Sequence, residues 1–390
     1  VKITQSKRLG KLPPYLFIEL DKKKRAAQAR GVDLVDLGIG DPDRPTPGIL
    51  LRALAQASRK PAYHQYPLGA GMAEFRQAAA SWFEARFGRA VDPAGQVLAV
   101  IGSKEGIGHL PLAVVNPGDR VLCPDPGYPV YSAGTIFAGA VPVSMPLKEK
   151  NAFLPDFGRL SAASMRRARL MWLNYPNNPT AATAPLEFFE EAVRFCKRHG
   201  LILAHDMAYS EIYYDGEAPH SIFEVPGAMD VGIEFHSLSK TFNMTGWRVG
   251  FAVGRREIVA ALANLKGNLD SGVVSAIQAM ATAALVAPSS LAAGIRRVYQ
   301  RRRDTFVPRL QQMGVDVPLP KASFYVWARV PRRKTSAAFC AEVLDKAGIV
   351  ITPGNGFGKA GEGYFRMTLT APEDRLALAL DRLVRFIERR

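Results

Sequence analysis

The sequence predicts an α/β fold, a large domain built on an open sheet followed by a smaller α+β domain. Two observations carry this expectation. From about residue 70 to about residue 285, short apolar runs alternate with amphipathic helical patterns, as expected of buried strands joined by crossover helices. Past about residue 285 the texture changes to a long Arg-rich helical stretch and then a mixture of strands and helices. A chain of 390 residues is long enough for two domains. The large one is expected at 48–285, and the small one at 286–390 together with an N-terminal arm, 1–47.

The elements follow in order. A helix is predicted over Gly71–Phe87, where Met72, Phe75, Ala79, Trp82, Phe83 and Phe87 recur at helical steps and Gly88 can cap the end. Strands are predicted at Val97–Ile101, Val121–Cys123 and Leu170–Leu173. A second helix, Pro185–His199, places Leu186, Phe189, Val193 and Cys196 on one face and stops at Gly200. Strands Leu201–His205, Gly232–His236 and Val249–Val253 complete the alternating region. The tail reads as a helix at Ala292–Met313, a strand at Ser323–Val330, a helix at Thr335–Gly348, a short strand at Val350–Thr352 and a final helix from Pro372. The N-terminal segment, with its strand-like Leu34–Leu37, fits either lobe on its residues alone.

Charge narrows the function. Lys and Arg number 51 against 35 Asp and Glu, a net +16, which raises nucleic acid, an anionic membrane and acidic small molecules as ligands. No apolar run approaches the ~18–20 residues of a membrane span. The first residues lack the apolar core of a signal peptide, so a cytoplasmic protein is expected. No helix-turn-helix or zinc-finger pattern is visible, and Lys22–Arg25 and Arg296–Arg303 read as solvated helix faces, so no nucleic-acid or membrane partner is expected. Cys123, Cys196 and Cys340 are too scattered for a redox pair and read as buried, inert thiols. The six histidines form no HExxH or HxH pair, so no metal site is expected. Acidic small molecules remain.

Polar and turn-forming residues collect just after the predicted strands: Gly102-Ser-Lys-Glu-Gly, Pro124-Asp-Pro-Gly-Tyr-Pro, Asn174-Tyr-Pro-Asn-Asn-Pro-Thr, Asp206-Met-Ala-Tyr and Ser237-Leu-Ser-Lys. In an open α/β sheet the carboxyl ends of strands line the ligand crevice, so these loops should converge. Lys240 follows a buried strand and has Ser237, Ser239 and Arg248 for neighbours. Desolvation and a nearby cation can free such a lysine to attack a carbonyl as a Schiff-base nucleophile, while the serines and arginine hold a phosphate. Asp206, at a strand end, could keep a pyridine nitrogen protonated. Tyr209 and Asn178 could donate to the ring's phenolic oxygen, and Tyr128 offers a flat face. Taken singly, Asp206 could cap a helix, Asn178 could be a turn residue and Tyr128 could be core. The order along the chain is what argues for a single site.

The backbone of Ser103, Lys104 and Glu105 could cradle a phosphate at a helix start, although neither GxxxxGK[ST] nor GxGxxG is present. The cluster Gly354-Asn-Gly-Phe-Gly reads as a flexible loop. Arg366, flanked by apolar residues, suits a two-pronged grip on a carboxylate. Gly40 permits close backbone approach to the same substrate.

These segments together resemble the fold-type I pyridoxal-phosphate aminotransferases (class I/II), and the resemblance spans nearly the whole chain. It implies a large domain with a mostly parallel seven-stranded sheet between helices. It implies pyridoxal 5′-phosphate as cofactor, with Lys240 as the Schiff-base lysine, Asp206 as pyridinium partner, and Tyr209 and Asn178 as phenolate donors. Tyr128 would stack on the ring. Ser237, Ser239, Arg248 and the backbone of Ser103–Glu105 would form the phosphate cup, and Arg366 the α-carboxylate clamp. Tyr66, in Gln65-Tyr-Pro-Leu-Gly-Ala-Gly, would reach the neighbouring subunit's phosphate, which implies a homodimer with shared sites.

A narrower likeness, through Leu12-Pro-Pro-Tyr-Leu-Phe, Asp36-Leu-Gly-Ile-Gly-Asp-Pro-Asp, Ile101-Gly-Ser-Lys-Glu-Gly-Ile, His205-Asp-Met-Ala-Tyr-Ser-Glu-Ile and Asn268-Leu-Asp-Ser-Gly, is to the bacterial LL-diaminopimelate aminotransferases. It implies amino transfer between LL-2,6-diaminopimelate and 2-oxoglutarate in lysine biosynthesis, with Tyr15, Gly40, Lys104 and Asn268 as further substrate contacts. Residues 268–278 contain no arginine, so a second carboxylate clamp of the aspartate aminotransferase kind is not evident. The alternatives are an aspartate, alanine or aromatic aminotransferase, or a C–S lyase on the same scaffold.

Overall fold

In the computed structural model, which describes residues 3–13, 16–67, 69–331 and 334–388, the apolar runs become strands. They are β1 (Val35–Asp36), β2 (Val97–Val100), β3 (Arg120–Asp125), β4 (Val141–Pro146), β5 (Ala168–Asn174), β6 (Ile202–Asp206), β7 (Gly232–Ser237), β8 (Gly250–Gly254), β9 (Tyr325–Arg329), β10 (Ile349–Val350), β11 (Thr352–Pro353) and β12 (Tyr364–Thr368). Seven of them form one sheet in the order β2-β8-β7-β6-β5-β3-β4. Pairing is parallel from β7 to β4, and only β8 runs against its neighbours.

Both faces of this sheet are buried, as the near-continuous apolar runs require. Along β5, Met171 and Leu173 enter one core cluster while Leu170 and Trp172 enter the other, the two-residue period of a strand. The helices are α1 (Leu16–Ala29), α2 (Gly48–Ala57), α3 (Ala73–Phe87), α4 (Ser103–Val114), α5 (Val130–Phe137), α6 (Ala162–Met165), α7 (Leu186–His199), α8 (Leu238–Thr241), α9 (Arg256–Gly267), α10 (Ser275–Leu285), α11 (Ser290–Gln312), α12 (Ser336–Ala347) and α13 (Glu373–Glu388). Phe75 and Phe83 of α3 and Phe189 and Val193 of α7 cover the first face. Ile107 of α4, Tyr131 of α5 and Leu262 of α9 cover the second.

A separate core joins Val35 and Leu37 to Phe306, Phe324, Val326, Val343, Leu376 and Leu380. The N-terminal segment therefore packs against the C-terminal third. β1 pairs in parallel with β10, and β11-β12-β9 make a small antiparallel sheet. Strand β12 thereby carries Arg366 towards the large sheet.

Three expectations are corrected here. The sequence reading missed β4: it is an edge strand, largely exposed, and Pro142 and Pro146 interrupt its apolar pattern. The Arg-rich stretch is only partly a solvated face. Arg302 and Arg303 are buried, with Arg302 gripping Asp43 and Glu373 and Arg303 gripping Asp215 and Asp304. The Gly354–Gly358 cluster is a packed turn: a Cβ on Gly354 would lie 2.1 Å from the Gly361 carbonyl, and Phe357 is buried. Across it, Asp125 accepts from the Ala360 N–H at 3.0 Å, tying the turn to the end of β3. All three cysteines are free and buried, as the sequence suggested. Among the described residues no single helix is long and apolar enough to cross a membrane.

Candidate active site

The carboxyl ends of β3, β5, β6 and β7 open onto a cavity of about 360 Å³. Its lining includes Gly40, Ser103, Lys104, Tyr128, Asn178, Asp206, Tyr209, Ser237, Ser239, Lys240, Arg248 and Arg366. Residues spread over more than 300 positions of sequence thus meet at one place. Four cations, Lys104, Lys240, Arg248 and Arg366, face it against two carboxylates, Asp41 and Asp206. The balance suits an anionic occupant.

One wall gathers groups suited to an anion. Gly102 precedes α4 with φ +73°, and a Cβ there would sit 2.5 Å from the Arg248 guanidinium. Glycine therefore meets both the backbone and the steric demand. Helix α4 starts at Ser103, where the positive end of its dipole favours an anion. Ser237 and Ser239 are buried on the opposite side, the Ser237 hydroxyl accepting from the Ser239 N–H at 3.2 Å. Glu105 does not join them. Its N–H already bonds the Gly102 carbonyl, and its carboxylate turns to the Ile101 N–H, Lys266 and His109.

Lys240, on the short helix α8, donates from Nζ to the Gly40 carbonyl at 2.9 Å. Burial lowers its pKa to about 8, with Arg248 and Arg366 pushing the same way against the opposing pull of Asp41. An ammonium that has lost over two units of basicity is a usable nucleophile and base near neutral pH.

Asp206 ends β6 and is buried. Burial raises its carboxyl to about 6, and a hydrogen bond from the Tyr131 hydroxyl to Oδ2, at 2.8 Å, pulls the other way. The charge of His205 and a loose approach of the Ala208 backbone N–H lower it as well, while Oδ1 makes no well-formed hydrogen bond among the described residues. A buried carboxylate oxygen of a residue lining the cavity can accept from an N–H donor brought there by a ligand.

On the far wall, Arg366 is 1% exposed. It donates from Nη1 to Asn178 Oδ1 at 2.8 Å and from Nη2 to the Gly38 carbonyl at 2.7 Å. Because a guanidinium can only donate, Asn178 must turn its oxygen to Arg366, which leaves its amide N–H₂ for the cavity. The loop holding Asn178 is itself fixed: Asn174 accepts from the Asn178 N–H at 2.8 Å and donates to the Asp206 carbonyl at 2.7 Å.

Not every expected residue arrives. Asn268 caps the end of α9, exposed, with its amide on the Asn264 carbonyl at 2.9 Å, outside this chain's cavity lining. Tyr66, expected to reach a neighbouring subunit's site rather than this one, is 83% exposed and outside this chain's own lining. Tyr15 lies outside the described residues. Conversely, Tyr131, Tyr325 and Asp41 went unnoticed in the sequence. Tyr131 lies one helical turn beyond Tyr128, a spacing that could have flagged it, whereas Tyr325 is hidden inside an apolar strand.

The chain that carries this constellation has relatives among known proteins. The pattern of "Aminotransferase class I and II" matches residues 32–383. The chain belongs to that family. This aminotransferase is 52% identical over 379 residues to the LL-diaminopimelate aminotransferase of Nitratidesulfovibrio vulgaris (strain DP4), covering 97% of this chain and 98% of that one. It is 51% identical over 383 residues to that of Moorella thermoacetica, covering 98% of each. Among solved structures, substrate-bound BacF from Bacillus subtilis superposes with a TM-score of 0.95 at 36% identity, covering 99% of this chain and 98% of that one. The aminotransferase accordingly has the fold-type I architecture.

Proposed function

We propose that the enzyme transfers an amino group reversibly between LL-2,6-diaminopimelate and 2-oxoglutarate, giving tetrahydrodipicolinate and glutamate, with pyridoxal 5′-phosphate as cofactor. The observation that carries the substrate is identity of 51–52%, over nearly the full length, to enzymes bearing that name. The open Oδ1 of Asp206 carries the cofactor, since a protonated ring nitrogen is the donor it lacks. Ser237, Ser239, Arg248 and the start of α4 hold the phosphate. Tyr209 and the Asn178 amide would donate to the cofactor's ring oxygen, and Tyr128 would offer a flat face to the ring.

When bound, the cofactor supplies a carbonyl carbon for the amino group and a ring that takes up the electron pair left by the departing α-proton. The chain's own work is positional and acid–base. Arg366, held in place by Asn178 and the Gly38 carbonyl, would grip the α-carboxylate. Lys240 Nζ would take the substrate's α-proton and hold it for return, an acid–base role whose share is typically ~10²- to 10⁴-fold. With a pKa of about 8, its free-base form is abundant under mildly alkaline conditions. We place Lys104, which lines the cavity with its Nζ 5.8 Å from the centre of the Tyr128 ring, against the substrate's distal carboxylate. We place Tyr66 in a homodimer's shared site, a reading supported by its exposure and by that of the apolar Ile49, Leu269, Val274 and Val286. The three reduced, buried thiols agree with a cytoplasmic enzyme.

The test is an amino-donor panel on the cofactor-loaded enzyme, reading glutamate formed from 2-oxoglutarate and any pyruvate released. Diaminopimelate should be the preferred donor. Reaction with aspartate or alanine but not diaminopimelate would reject the substrate, and pyruvate release without an oxo acceptor would point to a lyase.

A further inference from the structure

We infer that Tyr325 is a positioning residue shared by the two grips of the cavity: its hydroxyl orients that of Tyr209 towards the ligand, and its ring backs the Arg366 guanidinium. The inference rests on the cavity being a pyridoxal-phosphate aminotransferase site.

Strand pairing puts these groups together. Thr368 of β12 lies opposite Tyr325 of β9, so Arg366, two residues along, shares its face of the sheet as a diagonal neighbour. The guanidinium carbon sits 4.2 Å from the centre of the Tyr325 ring, with the Phe357 ring at 4.6 Å. A planar cation held against aromatic faces, and tied at its edge to Asn178 and Gly38, has little freedom to swing out of the carboxylate-binding pose. Tyr325 is itself confined. It is buried and meets the Tyr209 ring edge-on at 5.4 Å, and a Cβ on Gly40 would lie 2.5 Å from its hydroxyl.

Counting protons decides what the hydroxyls do. The Tyr209 and Tyr325 oxygens are 2.7 Å apart, and one proton lies between them. Each phenol has one proton to give. If Tyr209 spends its proton on Tyr325, a ligand oxygen beside Tyr209 receives nothing and the Tyr325 proton has no acceptor. If Tyr325 donates to Tyr209, the Tyr209 proton is free for the ligand and every proton is placed. A ligand oxygen therefore selects the order Tyr325, Tyr209, ligand, and each bond in such a chain strengthens the next. Burial raises the pKa of both phenols, so both remain protonated donors.

The experiment uses the cofactor-loaded enzyme with Tyr325→Phe, Tyr325→Leu, Tyr209→Phe and the Tyr209→Phe/Tyr325→Phe double variant. Visible absorbance is titrated against pH alongside steady-state kinetics. Tyr325→Phe keeps the ring and loses the relay. Its absorbance midpoint should rise by roughly half to one pH unit, the size of one neutral hydrogen bond, with KM for the amino donor nearly unchanged. Tyr325→Leu loses the ring, and KM should rise roughly five- to thirty-fold. In the double variant the midpoint should match that of Tyr209→Phe alone, because the relay acts only through Tyr209. An unmoved midpoint in Tyr325→Phe, or additive shifts in the double variant, would overturn the inference while leaving the cofactor reading intact. A wild-type protein that takes up no pyridoxal phosphate would overturn both.

Discussion

The Tyr131 hydroxyl supports the buried Asp206 carboxylate directly, and Tyr131→Phe removes that support without changing shape. The bond is 2.8 Å long and ends on a carboxylate that burial has already raised to about 6. A hydrogen bond to a charged group contributes about 1.5–3 kcal/mol, so its loss should raise the Asp206 pKa by roughly one to two further units. The sign of the stability effect follows. Because the folded value lies above the ordinary 3.8, Asp206 leaves stability intact below about pH 4 and removes it as pH rises through 6, by about 3 kcal/mol in the wild type. In Tyr131→Phe the loss should grow by about 1.5 kcal/mol at pH 7.5 and by almost nothing at pH 5, on top of a small pH-independent cost. Urea unfolding of the cofactor-free protein at the two pH values measures this difference. A penalty equal at both, or larger at pH 5, would refute the assignment of Tyr131 as the support of an ionised Asp206.

Two further outcomes follow from the same geometry. Arg366→Lys keeps the charge but loses the planar fork that serves Asn178, Gly38 and substrate together, so KM for both the amino acid and the oxo acid should rise roughly a hundred-fold; equal KM values would remove the clamp role. Glu234 is fully buried and accepts from His205, His236, the Ser221 hydroxyl and the Ile222 N–H. Burial alone would raise its carboxyl, but the two histidines outweigh that and hold it at about 2. A depressed value contributes stability above 4.5 that is lost as pH falls towards 2. Glu234→Gln should therefore cost most at neutral pH, with the gap to wild type in thermal unfolding narrowing at pH 3. A gap that widened on acidification would contradict the network.

Much of this was legible in one dimension because the rules involved are local. A strand covered on both faces must be apolar throughout, so Val97–Val100, Leu170–Leu173 and Val249–Val253 stand out from any polar neighbour. The polar loops that follow them mark the crevice end of the sheet, which is why Lys240, Asp206, Asn178 and Arg248 were found from order alone. Strand β4 was not legible, since an edge strand need bury only part of its surface. Arg302 and Arg303 looked like surface because partners such as Asp43, Asp215 and Glu373 come from distant parts of the chain. The Gly354–Gly358 turn reads as loose in sequence, and only the approach of Gly361 and Phe357's burial show it packed.

The sequence by itself determined the class of chemistry, because a lysine, a carboxylate and a phosphate cup at successive strand ends can be recognised one residue at a time. Tertiary structure alone decided how those groups are tuned. Tyr131 touches Asp206 from 75 positions away, and Tyr325 touches Tyr209 from 116 positions away. Burial, which sets the basicity of Lys240 and Asp206, is a property of everything packed around them. Hydrogen bonds and desolvation act over a few ångströms of space, and chain distance does not encode that proximity until the fold has closed.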